Sequence, residues 1–351
     1  MIRPEPVSGH LRLAEADKRS DPSAVAVALV QNEYFLVTDF FSTGLTILAA
    51  LRHSLGGDKP RNSYSAERAY RTAFQDASQR LLAPVRNNRL NLRKAPEIGW
   101  LKELYPDTSQ FVLPFPQVQG LNSAWQWFQK GATMPVLRRR LHPFYGTYFP
   151  SRFEHLRLFA DWLKEYRGKK DFAIDVGTGC GVLAFQLSEV GWPRVLATDI
   201  NPNAVESVRR ELARAPGQTE IQTQEADLLG TGGEPADLIV FNPPWLPGDT
   251  RNSLDLAMYY PEDLFDRFFK AAIERLAPEG RVVLIFSNLQ EAAGLGAEHP
   301  VQRELNTGGR FKLVRRVEGK VGPASATTKR RKRSPWRERV ELWELKAERA
   351  S

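Results

Sequence analysis

Apolar positions along this chain keep two different rhythms, and the change comes near residue 170. From there on, short apolar runs alternate with stretches of helical period. Residues 172–176, 194–200, 236–241 and 281–287 read as strands from their apolar and β-branched runs between turn signals, and 220–227 as a more polar third strand of the series. Residues 182–190, 202–213 and 264–276 carry apolar residues at spacings of three and four and read as helices, the second opened by Pro202. A short helix over 301–305 and strands over 310–320 and 339–345 complete the set. Strands alternating with helices over 170–350 predict an α/β fold, a doubly wound and mostly parallel sheet.

The first half is less regular. Residues 1–20 form a polar tail, and 24–37 fits a strand or a buried helix equally well. Helices are expected over 43–55, stopped by Gly56-Gly57, and over 65–82, where Ala66, Ala69, Tyr70, Ala73, Phe74, Ala77 and Leu81 share a face. Four prolines make 94–116 read as irregular, and 122–131 reads as a short helix capped by Asn122. Its tryptophans are expected in a core or an interface. Residues 137–150 are basic, aromatic and turn-rich; 151–166 is an amphipathic helix. The organisation that follows is a smaller, mainly helical domain over 1–140, a junction and helix over 141–170, and the sheet domain over 171–351.

At the start of the sheet domain, residues 172–181 read FAIDVGTGCG. An apolar run carrying Asp175 breaks into Gly177, Gly179 and Gly181, and a helix follows. Glycines permit left-handed backbone and leave it bare for a ligand, and the helix start offers unpaired N–H groups to an anionic part of it. The dinucleotide fingerprint has a different spacing. Its third glycine belongs where Val182 stands, and the glycine here comes one residue early.

Charge and cysteine narrow the possibilities. Cys180 is the one cysteine, so disulfide frameworks and cysteine-rich zinc sites are excluded; His142 and His155 have no ligand-like spacing, so no metal is expected. The first twenty-one residues lack the apolar core of a signal peptide, and 24–55 is too polar to span a membrane, which leaves the cytoplasm as the expected compartment. The net charge is +8, of which residues 1–150 hold +7; a second basic run is Lys329 to Arg333. Such patches suit phosphate-rich partners such as RNA, or serve as a solvated surface.

Placed on the predicted sheet, the chemistry-bearing residues fall at its ligand-binding edge. The first strand ends in the glycine loop, the second in Asp199, the third in Asp227 and the fourth in Asn242-Pro243-Pro244-Trp245. This ordered set resembles the class I S-adenosylmethionine-dependent methyltransferases that modify planar nitrogens. Within them it is most similar to the release-factor glutamine methyltransferases. The resemblance implies a Rossmann-like domain with a seven-stranded, mostly parallel sheet and S-adenosylmethionine as cofactor. It implies that Asp175 and the loop Gly177, Thr178, Gly179 and Gly181 hold the methionine part of the donor, Asp199 the ribose hydroxyls and Asp227 the adenine amine. Asn242, at the border of the donor site, and the Pro243 carbonyl would accept from the target NH₂, and Trp245 would stack on its planar group. The implied acceptor is a macromolecule. The first choice is a glutamine amide of a release factor or ribosomal protein; the alternative is an exocyclic base amine of ribosomal or transfer RNA. Residues 1–140 would recognise it. Trp245 stands where the family often has Tyr or Phe, and the first half is about twice the family's length.

Overall fold

The computed structural model describes residues 1–9, 11–57, 64–230, 233–248, 258–292, 294, 296, 298–322 and 338–348. The basic run 329–333 lies outside them. Two compact units divide the chain: Arg3–Gln129 with Met1, and Lys130–Ser351 with Ile2.

The first unit has a sheet of five strands: β1 (Leu13–Ala16), β2 (Tyr34–Val37), β3 (Leu81–Arg86), β4 (Arg89–Leu90) and β5 (Gln110–Pro114). β1, β2 and β3 run parallel, whereas β4 and β5 pair antiparallel with β3. Parallel neighbours need crossovers, supplied by α1 (Pro22–Val30) between the first two strands and by α2 (Phe41–Ser54) and α3 (Tyr64–Ser78) before the third. Asp21 caps α1, accepting from the Ser23 N–H at 2.9 Å, with Pro22 next in line. α4 (Trp100–Leu104) and α5 (Phe115–Lys130) complete the unit.

Helices take up a little under half of the described residues of this unit, and the five-stranded sheet among them was not expected. The ambiguous stretch 24–37 holds one helix and one strand. Three expectations are corrected. Residues 1–20 are not a tail throughout, since Leu13–Ala16 enters the sheet as β1. The helix over 65–82 stops at Ser78, and Leu81 and Leu82 enter the buried strand β3. Residues 94–116 are ordered as α4, β5 and the start of α5, which begins seven residues before Asn122, so that asparagine caps nothing. Half-buried Trp125 packs edge-on against the fully buried Trp100, their centroids 5.2 Å apart, whereas Trp127 is 41% exposed.

The second unit opens with a small pair, β6 (Ala132–Thr133) and β7 (Arg140–Leu141), and the amphipathic helix α6 (Glu154–Glu165). Then follow β8 (Phe172–Val176), α7 (Val182–Glu189), β9 (Arg194–Asp199), α8 (Pro202–Arg214), β10 (Glu220–Glu225) and β11 (Ala236–Phe241). A short parallel pair, β12 (Leu246–Pro247) and β13 (Tyr259–Tyr260), precedes α9 (Leu264–Arg275) and β14 (Leu276–Ser287). The single turns α10 (Leu289–Ala292) and α11 (Pro300–Arg303), a π-helical turn Glu304–Gly308, β15 (Phe311–Lys320) and β16 (Arg339–Ala347) end the described chain.

The seven-stranded sheet has the order β10-β9-β8-β11-β14-β16-β15. Its first five strands are mutually parallel, and β16 runs antiparallel to both neighbours. Phe172–Val176 and Ala236–Phe241 are buried at every position, as strands covered on both faces must be. One core contains Leu156, Phe159, Val182 and Phe185; the other contains Phe265, Phe268 and Phe269. Strand order reverses between β8 and β11, which opens the crevice where such sheets hold ligands. Among the described residues no helix is long and apolar enough to cross a membrane.

Candidate functional site

The carboxyl end of β8 turns sharply. Gly177, Gly179 and Gly181 have φ of +63°, +54° and +86°. At Gly179 and Gly181 the need for glycine is also steric. A Cβ on Gly179 would stand 3.1 Å from the Tyr148 carbonyl oxygen, and one on Gly181 would stand 2.8 Å from the Phe185 ring. Tyr148, from the segment before α6, therefore lies over the loop. The residue as a whole is 37% exposed, and desolvation pushes the pKa of its phenol up to about 12.

Asp175 organises this turn from beneath. It is fully buried, and its Oδ2 accepts from Thr178 Oγ1 at 2.6 Å and from the Ala184 N–H at 3.0 Å. Its Oδ1 has no partner. Burial, with Asp199 nearby, raises its pKa to about 7. The Thr178 N–H in turn donates to the Thr198 carbonyl at 2.8 Å, tying the loop to β9. Asp199 tightens the same junction. Its Oδ2 accepts from the Gly179 N–H and its Oδ1 from the Asn201 N–H, both at 2.8 Å. Desolvation raises its pKa against these bonds. Ile200 follows, an apolar side chain 53% exposed at a strand end. Sequence reasoning passed over it, although its place right after the acid was a signal.

Asp227 is placed differently. It lies beyond β10, exposed, in an ion pair with Arg267 of α9, which also bonds Asp263 at 2.7 Å. Its carboxylate is engaged away from the glycine loop's own hydrogen-bond network.

Asn242-Pro243-Pro244-Trp245 leaves the end of β11. Phe241 pairs with Val176 of β8, so this segment and the glycine loop start from adjacent strand ends. Asn242 Oδ1 and Trp245 Nε1 are both buried without a partner. The Trp245 ring stands perpendicular to the ring of His155, centroids 5.3 Å apart. His155, near the start of α6, is 2% exposed, and neither ring nitrogen has a partner. Burial lowers its pKa to about 4, so it is neutral near pH 7. Sequence reasoning considered His155 only as a metal ligand and missed it as the neighbour of Trp245; nothing in the local sequence links the two. Among the described residues no group of three or more His, Cys, Asp or Glu could hold a metal ion.

The unit thus brings a bare-backbone turn, a half-buried carboxylate at the next strand end and a lone buried amide oxygen to one crevice. A cradle that side chains would fill, and an acceptor with nothing to accept, fit a bound cofactor beside a hydrogen-bond-donating substrate.

Residues 156–315 match the family described as "Methyltransferase small domain". The release factor glutamine methyltransferase of Deinococcus radiodurans is 36% identical over 130 residues, which is 34% of this chain and 46% of that protein. The tRNA1(Val) (adenine(37)-N6)-methyltransferase of Phocaeicola vulgatus is 32% identical over 128 residues, 34% of this chain and 52% of that protein. The chain thus spans about half the length of these curated relatives. Among solved structures, the ribosomal protein L11 methylase of Lactobacillus delbrueckii subsp. bulgaricus is 21% identical and covers 60% of this chain and 85% of that one, at a TM-score of 0.41. Residues 156–315, within the C-terminal unit and its doubly wound sheet, are thus similar to the methyltransferase small domain family.

Proposed function

We propose that this protein methylates a planar nitrogen with S-adenosylmethionine as donor, and that the nitrogen is a glutamine side-chain amide of a protein. The observation that carries this reading is the buried, partnerless Oδ1 of Asn242 at the strand end beside the glycine loop. When bound, the cofactor supplies an electrophilic methyl group on a sulfonium. The backbone of Gly177 to Gly181 with Thr178 holds its methionine part, and Asp175 holds that loop in shape. Asp199 keeps unused lone pairs for the ribose hydroxyls, and Ile200 offers an apolar face to the adenine. Asp227 takes the adenine amine by sharing itself with Arg267.

On the acceptor side, an amide nitrogen is a weak nucleophile because its lone pair is delocalised. Asn242 Oδ1 and the Pro243 carbonyl accept from its two hydrogens, orienting it and favouring the positive charge that develops on it. Trp245 stacks on the amide plane, with His155 edge-on behind it. The relative that acts on a release factor, by its name, supports the glutamine acceptor. A second reading, an adenine amine in RNA, has the tRNA adenine relative in its favour, and the same donor–acceptor geometry serves it.

The test is transfer of labelled methyl from S-adenosylmethionine to a lysate of cells lacking the protein, followed by protease or RNase. Protease-sensitive label is expected; RNase-sensitive label moves the acceptor to RNA, and no label refutes both. Asn242→Ala is expected to abolish transfer, by about 100-fold or more, while donor binding persists in calorimetry. Unchanged transfer removes Asn242 from its role.

A further inference from the structure

The N-terminal unit carries a cationic feature that the methyl-transfer site does not use. β3 and β4 are joined by Asn87-Asn88, whose φ of +51° and +61° are those of a tight two-residue hairpin turn. The register sets Arg86 directly opposite Arg89. Like charges facing each other across a hairpin repel, and a hairpin end could be occupied by many less costly residues. Both side chains are exposed, and neither has a carboxylate partner among the described residues. Several arginines elsewhere have carboxylate partners, among them Arg310 with Glu304 and Asp266 and Arg315 with Glu165 and Glu344.

The two guanidiniums stand on a firm base. β3 pairs with β5 from Leu82 to Arg86. The Asn87 N–H donates to the Ser109 carbonyl at 2.7 Å and the Asn91 N–H to the Pro84 carbonyl at 2.9 Å. Arg86, Asn87, Arg89, Leu90 and Asn91 line a concavity of about 600 Å³. Every charge in that lining is positive, both asparagines add side-chain N–H donors, and it contains no acid and no aromatic ring.

We propose that this hairpin tip is a phosphate-binding site for the sugar-phosphate backbone of RNA. Guanidinium forks match phosphate oxygens, and two of them rooted about 5.5 Å apart across the strands can take neighbouring phosphates. The absence of an aromatic platform makes the grip indifferent to base sequence. The +7 net charge of residues 1–150 draws a polyanion to this half of the chain. An acidic protein would present carboxylates on flexible stems, each able to pair with one arginine, and would not require the two fixed face to face. The site serves an RNA-bearing target whether the methyl goes to a protein amide or to a base, so it stands or falls apart from the acceptor assignment.

The experiment uses the full chain and a fluorescein-labelled, mixed-sequence single-stranded RNA of about 20 nucleotides. Anisotropy is followed between about 50 and 200 mM KCl. Arg86→Gln/Arg89→Gln is expected to weaken binding about tenfold at the low-salt end and to reduce the slope of log affinity against log salt by about 1.4, two single-strand phosphate contacts. Arg71→Gln, on an exposed arginine already paired with Glu67, is expected to change neither. The double variant is expected to melt no lower than the parent, because a repulsion is removed. The proposal is overturned by equal affinity and slope in the double variant, by absence of RNA binding in the parent, or by polyglutamate displacing the RNA at equal charge.

Discussion

His155 is a polar ring where an apolar one would pack at less cost. Both nitrogens are buried without partners, and its one ring neighbour near the site is Trp245 at right angles. Each unsatisfied buried group costs about 1–3 kcal/mol. His155→Phe keeps an aromatic edge and removes the polarity. It is expected to raise the unfolding free energy by about 1 kcal/mol, read from urea midpoints; a loss of stability would show that the nitrogens have partners in solution. Gly179 and Gly181 lie at the other extreme of legibility. Their spacing after an apolar run announced a left-handed turn, because few other residues adopt that backbone. Asp199 was legible from its place at the end of the second strand. The Arg267 partner of Asp227 was not, since the two lie forty residues apart and meet only once α9 has packed.

At the scale of elements, α2 depends on a residue it lacks. Gly44 lies mid-helix, and a Cβ there would stand 2.2 Å from the ring of Phe115, a fully buried side chain that also stacks on Phe41 at 5.0 Å. Alanine normally favours a helix over glycine by about 1 kcal/mol. Here Gly44→Ala is expected to destabilise by about 1–3 kcal/mol through overpacking, lowering the urea midpoint; a midpoint at or above that of the parent would show the Phe115 ring yields freely. In the C-terminal unit β8, β11 and the second half of β14 were readable because strands buried on both faces are continuous apolar runs, and the helices between the strands keep a 3.6 period. The N-terminal sheet was harder. β3 contains Pro84, which argues against a strand. The structure accommodates it because Pro84 falls between Leu81-Leu82, paired with β2, and Val85-Arg86, paired with β4. Only its carbonyl is used on that edge, by Asn91. Likewise β5 is only five residues long and runs directly into α5, leaving no turn for the sequence to signal.

Over the whole molecule, three perturbed groups set an acid response. His155 and His299 both titrate at about 4 in the folded state, lowered by burial from 6.5. In the unfolded chain they take up protons earlier, so the stability tied to keeping them neutral is present above pH 6.5 and lost as pH falls through 4. Asp175 works in the opposite sense. Its folded pKa of about 7 lies above 3.8, so it favours the fold at low pH and withdraws that support as pH rises through 7. Between about pH 4.5 and 6 the unfolded chain binds one proton more, counted over these three groups. They therefore make stability rise with pH by about 1.4 kcal/mol per unit. Replacing both histidines, His155→Phe with His299→Phe, is expected to reverse the sign of that contribution, seen in urea midpoints at pH 5 and pH 6. A slope unaltered by the double substitution would place the acid response in other groups.

The position of β16 has a consequence for biosynthesis. It follows β15 in the chain yet lies between β15 and β14, bonded to both. A ribosome that has not yet translated residue 339 therefore holds a sheet whose β14 edge, Val282 to Ser287, is apolar and open, while β15 has nothing to join. Such an edge is a template for any neighbouring strand. Chaperone binding to the nascent chain is therefore expected until residues 339–347 emerge, and sheet closure is an insertion that cannot run ahead of their translation.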